Sequence, residues 1–215
     1  MKLYFSPLAC SLATRIALYE AGADVTFVEV DARTKRTLAD GADFYAINPM
    51  GLVPTLATDD GTVLTENIAI LSYLADRFPA AELGPRDGAA RTRLLQWLSF
   101  TATELHKAVF NPVFDRKAPD AVKAYALGRA APRLAIIEQH LAGRTYLLDA
   151  FSVADAYLVT VLTWTLATPI KLADYPALAA YSARLRERPS VARALAEERP
   201  LYAAERTRDA AAITS

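Results

Sequence analysis

Apolar positions recur along this chain in two rhythms, one short and alternating with turns, the other helical and nearly unbroken. Leu3-Tyr4-Phe5 is a β-prone run that Ser6-Pro7 stops. From Ser11, Leu12, Ile16 and Tyr19 recur at helical spacing up to Gly22, where a C-terminal helix glycine is expected. Val25 to Val30 is β-branched and aromatic and predicts a second strand. Asp31 to Ile47 lacks a 3–4 residue repeat and reads as loop or irregular helix. Thr55–Thr58 and Thr62–Leu64 flank Asp59-Asp60-Gly61, a hairpin signal. Ile68, Leu71 and Leu74 mark a further helix that ends near Arg77, before Pro79. A strand–helix–strand unit implies a parallel pair with a right-handed crossover, and the hairpin adds an antiparallel edge. The first 79 residues therefore predict a mixed four-stranded sheet with helices packed on it.

Residues 80–87 contain Gly84-Pro85, lack periodicity and read as a linker. Beyond it the pattern is helical throughout, punctuated by Pro112, Pro119, Pro132, Pro169, Pro176 and Pro189, with Pro132 placed to kink a helix. In Phe151-Ser152-Val153-Ala154-Asp155, Ser152 and Asp155 have the spacing of a capping box. Tyr157, Leu158, Val161, Leu162 and Leu166 make the following helix apolar on most sides, as expected of the centre of a second domain. The expected organisation is thus residues 1–79, a linker at 80–87, an all-helical domain at 88–206 and a tail at 207–215 prone to fray.

Composition narrows the partners. The chain has 215 residues, 53% of them hydrophobic, ample for a core. Lys plus Arg and Asp plus Glu are 24 each, so the formal net charge is zero and gives no electrostatic reason to expect nucleic acid or an anionic membrane. Near-neutral charge favours self-association. A single cysteine excludes an intrachain disulfide, and no apolar run approaches a membrane span; a cytoplasmic protein is the expectation.

Cys10 falls between the first strand and the first helix, where the helix dipole and unpaired amides favour a thiolate. A buried structural cysteine is the competing reading. With no second cysteine nearby, a dithiol motif is excluded. Val53-Pro54 follows Asn48-Pro49-Met50-Gly51, a sharp chain entry that a plain turn would also explain. Thr65-Glu66-Asn67 opens a helix whose amides suit a carboxylate while Glu66 suits an ammonium; a simple Thr65 cap is the alternative. Ser99, Thr103, His106 and Lys107 share one polar helical face, which is either functional or merely solvated. His140 reads as structural. No Cys/His cluster has metal spacing and no glycine-rich phosphate loop is present.

The stretches Lys2–Leu12, Asn48–Pro54, Leu64–Ile70, Ala102–Lys107 and Phe151–Tyr157, in this order, resemble the bacterial beta-class glutathione transferases. Each motif is modest alone; five in register cover nearly the whole chain. The resemblance implies a thioredoxin-like domain followed by an all-helical domain, in a homodimer. It implies a cis Val53-Pro54 bond, with the loop Leu52-Val53-Pro54 against glutathione and the Val53 backbone pairing with its cysteinyl group. Glu66 and Asn67 are placed at the γ-glutamyl end and Lys35 near the glycyl carboxylate. Cys10, flanked by Ala9 and Ser11, lies beside the glutathione sulfur, where Cys10 can form a mixed disulfide. His106, followed by Lys107, approaches from the helical domain, and Ser99 and Thr103 reach the partner subunit's glutathione. Cys10, His106 and Ser11 are the catalytic candidates. Glutathione is expected as co-substrate, with no further cofactor and no metal.

The implied function is detoxifying attack of the glutathione thiolate on a hydrophobic electrophile, with thiol–disulfide exchange through Cys10 beside it. The electrophile is expected in a cleft between the domains, with Phe110, Phe114 and Trp164 as its wall or as ordinary core. A non-catalytic module of the same fold, or a glutathione-dependent isomerase or dehalogenase, is the alternative. Leu8 stands where the family commonly has glycine, Asn67 where a small residue is usual, and Ser99 where Asn is common. These departures bear on affinity more than on fold.

Overall fold

The computed structural model describes residues 1–214 and divides into two compact units, Met1–Ala81 with Pro189–Ser215, and Glu82–Arg188. In the first, β1 (Lys2–Phe5), α1 (Ser11–Glu20), β2 (Thr26–Glu29), β3 (Thr55–Ala57), β4 (Val63–Leu64) and α2 (Asn67–Arg77) follow in order. The sheet runs β2-β1-β3-β4, with β1 parallel to β2 and the other pairs antiparallel. Leu3 sits opposite both Phe27 and Leu56, so the strand next to the crossover is central and buried on both faces. The 31–47 segment has no regular helix; two isolated bridges, Val30 with Thr37 and Arg36 with Asp43, shape it before a 3₁₀ turn at Phe44–Ala46.

Every residue of α1 from Ser11 to Leu18 is buried. The helix lies against the sheet, α2 and α9 (Pro189–Thr214), so even Arg15 faces protein. Here the structure departs from the expected boundaries. The last helix belongs to the first unit, not to the helical one, and it continues through the segment expected to fray as far as Thr214. Ser215 lies outside the described residues. Packing explains the difference: α9 carries Val191, Ala194 and Leu195 as buried positions and sends Glu197 and Glu198 to Arg15 of α1. Such pairing holds a helix whose own sequence, interrupted by Pro200, gives no strong periodicity.

In the second unit α3 (Gly88–Phe100) runs directly into a π-helix, Thr101–Phe110, and then the short α4 (Asn111–Phe114). Then come α5 (Asp120–Gly128), α6 (Ala130–Leu141), α7 (Val153–Thr163) and α8 (Pro176–Arg186). Pro132 falls in the first turn of α6, where a missing N–H costs no helical bond, and starts the helix instead of kinking it. Residues Val153–Leu162 of α7 are buried on all sides, so this helix is the core, as its pattern predicts. Its capping box is present. The Asp155 carboxylate accepts from the Ser152 N–H (2.9 Å) and Oγ (2.9 Å), from the Leu147 N–H (2.9 Å) and from the Tyr181 hydroxyl (2.8 Å).

Candidate functional site

The turn from β1 into α1 is closed by its own backbone and by Ser11. Ala9 N–H donates to the Ser6 carbonyl (3.1 Å), while the Ser11 hydroxyl donates to the same carbonyl (3.2 Å) and accepts from Ser6 N–H (3.3 Å). Ser11 is wholly buried. Its hydroxyl therefore closes the loop. Leu8, at the crest, has φ +56°. That left-handed conformation suits glycine, which explains why this position favours it in the resemblance.

Cys10 is the cap residue of α1 and is half-buried. Its Sγ donates to the Val53 carbonyl at 3.2 Å. The Val53-Pro54 bond is cis, as the resemblance implies. The loop before it is held by Asn48, whose Nδ2 donates to the Leu52 carbonyl (2.8 Å) and Thr55 Oγ1 (3.1 Å) and whose Oδ1 accepts from Met50 N–H (3.1 Å). Among the described residues nothing accepts from Val53 N–H. A peptide donor thus stands open beside a carbonyl that already meets a thiol.

Asn67 is the first residue of α2 and is buried, and its amide joins the two helix starts: Nδ2 donates to the Cys10 carbonyl (3.1 Å), Oδ1 accepts from Thr14 Oγ1 (2.9 Å). The side chain expected at the γ-glutamyl end is thus engaged internally. Glu66, not Thr65, is the cap residue of α2. It is exposed, with φ +64° and ψ +119°, and no side chain caps the helix. A strained residue at an uncapped helix start is a pattern of ligand sites. Lys35, also at positive φ, lies in the 31–43 loop outside this bonded cluster; burial pushes its ammonium below the ordinary value, against the opposing attraction of Asp31. Leu52 is exposed and Pro54 buried.

In the second unit Ser99, Thr103 and Lys107 are exposed, with Thr103 Oγ1 bonded to the Ser99 carbonyl (2.9 Å). His106 does not share their face. The wider π-turn breaks the 3.6-residue register on which the shared face was predicted, and the imidazole turns inward. Its Nδ1 lies 2.8 Å from the hydroxyl of buried Tyr157, and its ring meets Trp164 edge-on at 4.9 Å. Burial, with a smaller push from Lys107, drives its pKa down to about 4, so the ring is neutral near pH 7. Phe110, Phe114 and Trp164 do meet one another, at 5.6 to 6.1 Å between centroids; Phe110 is core, while Phe114 and Trp164 keep exposed surface. Sequence reading missed Tyr157 as a partner of His106, and Arg15 and Glu198 beneath the Cys10 turn. A charged residue on the apolar face of α1 was the available signal for that pair. Among the described residues no group of three or more His, Cys, Asp or Glu could hold a metal, and no helix is long and apolar enough to cross a membrane.

This arrangement of a cis-proline edge, a thiol at a helix start and an appended helical unit has close relatives. The glutathione S-transferase N-terminal domain matches residues 9–77, and the C-terminal domain of the same family matches residues 101–189. Glutathione S-transferase GstA of Escherichia coli O157:H7 is 42% identical over 92% of this chain and 98% of its own. A sphingomonad glutathione S-transferase solved in complex with glutathione is 48% identical, with a TM-score of 0.87 over 92% of this chain and 98% of the other. The chain belongs to the glutathione S-transferase family and is a glutathione transferase. Within the family, the beta-class enzyme of Sphingomonas chungbukensis is 44% identical with a TM-score of 0.88, covering 93% of this chain and 99% of that one, in line with the beta-class resemblance.

Proposed function

We propose that the first unit binds glutathione along the Val53 edge and that the enzyme directs the ionised glutathione thiol at hydrophobic electrophiles. The observation that carries this reading is the Val53 peptide edge, whose carbonyl meets Cys10 Sγ and whose N–H is open among the described residues. Glutathione's cysteinyl group would pair with that edge and its γ-glutamyl carboxylate with the uncapped amides of α2. Glu66 would take its ammonium and Lys35 its glycyl carboxylate, while Leu52 and Pro54 frame the loop. Ala9 and Cys10 flank the sulfur. The resemblance adds His106 as a neutral second group, with Lys107, and adds Ser99 and Thr103 for a homodimer. Exposed Tyr45, Met50 and Leu52 are apolar surface in keeping with such an assembly.

A free thiol with a pKa near 8.5 is only a few per cent ionised at pH 7. Each unit by which the site lowers it takes about 1.4 kcal/mol of differential stabilisation. The α1 and α2 starts supply oriented amides for that purpose. Thiol–disulfide exchange through Cys10 is a second activity favoured by the half-buried sulfur in the same place. The cytoplasm, with its millimolar-scale thiol pool, is the compartment such chemistry needs.

Calorimetric titration with glutathione, followed by conjugation of a generic aryl halide, tests the reading. Binding with a rate above the uncatalysed reaction is expected; absence of binding at millimolar glutathione would overturn it.

A further inference from the structure

We infer that Glu198 is a positioning residue for Cys10: from α9 it holds the left-handed Leu8 peptide, and with it the turn that delivers Cys10 to the start of α1. Its bearing on activity rests on the reading of Cys10 as part of the glutathione site. Glu198 is completely buried, and its two oxygens have different work. Oε2 accepts from the Leu8 N–H at 2.7 Å, while Oε1 pairs with Arg15 Nε at 2.7 Å. Arg15 is itself fixed between the rings of Phe5 (4.3 Å) and Phe27 (3.9 Å) and by Glu197 (2.9 Å).

Leu8 is the reason such a hold matters here. A non-glycine residue at φ +56° relaxes to negative φ unless its surroundings over-determine it. The charged oxygen on its amide does so, and a carboxylate accepts more strongly than a neutral group. Relaxation of Leu8 would swing Ala9 and Cys10 away from the amides of α1 and from Val53, removing what favours the thiolate. The groups facing Glu198 are Arg15 from α1 and Glu197 beside it on α9. Tyr19 of α1 bonds Glu197, Arg193 pairs with Glu197, and Glu205 reaches Ser6 of the same turn; further along α9, Arg208 pairs with Glu29 of β2, while Phe5 of β1 and Phe27 of β2 face Arg15. Burial pushes the Glu198 carboxyl up to about 7, so its charge develops as pH rises through neutrality.

The test is the rate at which iodoacetamide alkylates Cys10 in Glu198→Gln, Leu8→Gly and the double variant, with circular dichroism to establish folding. In the Leu8 background Glu198→Gln should slow alkylation roughly five- to tenfold, the shift matching the strain of a left-handed non-glycine residue. In the Leu8→Gly background the same change should alter the rate by less than about twofold, because glycine holds positive φ unaided. Any result other than a loss that Leu8→Gly erases overturns the inference. Should Glu198→Gln not fold, the native protein decides: its alkylation rate relative to Leu8→Gly should rise through pH about 7, and a flat ratio refutes the hold. Alkylation involves no glutathione, so the expected pattern combined with absent glutathione binding would reject the proposed function and leave the positioning role standing.

Discussion

His106 and Asn67 show how a residue's neighbours, not its type, decide what it does. Desolvation keeps the His106 ring neutral, with its pKa near 4 against an ordinary 6.5. The folded protein therefore resists protonating it: its contribution to stability is full above about 6.5 and is lost as pH falls through about 4. In an NMR titration the His106 resonances should stay those of a neutral ring down to about pH 5; a midpoint near 6.5 would contradict the burial seen here. Asn67→Ala should act on stability before it acts on binding, since it removes the link between the Cys10 carbonyl and Thr14. A loss of roughly 1–3 kcal/mol in urea unfolding is expected from the unpaired buried groups. Cys10→Ala should abolish any mixed disulfide with glutathione by mass spectrometry and reduce thiol exchange. The positions of Cys10, Val53 and Glu66 were legible because turns and helix starts announce themselves locally. The internal engagement of Ser11 and Asn67 was not, since nothing local tells a hydroxyl or amide which backbone group will fold against it.

At the scale of elements, β1 to β4, α1 and α2 fall within a residue or two of the boundaries that periodicity predicts. The π-helix is the instructive miss. Its sequence, Thr101–Phe110, reads as an ordinary helix, and only packing against α7 reveals the wider turn that moves His106 off the polar face. The start of α7 was legible because a capping box is a short-range code. Ser152→Ala should cost about 1–2 kcal/mol as a lost cap. Asp155→Ala should cost more, roughly 3–5 kcal/mol, because it strands the Leu147 and Ser152 amides and the Tyr181 hydroxyl in the core. Equal losses in urea unfolding would show that Asp155 does no more than cap.

For the whole molecule, two buried groups pull pH dependence in opposite directions. Glu198 is raised from 4.5 to about 7, so the folded state holds its proton more tightly. Its contribution to stability is full below about 4.5 and is lost as pH rises through about 7, opposing the trend from His106. The net profile of the native protein conceals both. Between pH 4.5 and 7.5, stability relative to Glu198→Gln should fall by on the order of 3 kcal/mol, at about 1.4 kcal/mol per pKa unit. A constant difference between the two unfolding profiles would mean that the carboxyl titrates normally. The division into a sheet-bearing part and a helical part was readable from the change of rhythm near residue 80. The membership of α9 was not: apolar spacing marks a face for burial without naming what buries it, and Arg15 is too far away in sequence to suggest Glu198.

That return of α9 to the first unit orders events during synthesis. β1 and the Cys10 turn are made well before α9, the helix that packs against α1. Between them come about a hundred residues of the second unit, Glu82–Arg188, which at ~5–20 residues per second take on the order of ten seconds to translate. Through that interval α1 exposes the face that α9 will cover, with Arg15 unpaired, while the helical unit has all its sequence in hand and can close first. The first unit, begun before the second, is thus finished after it.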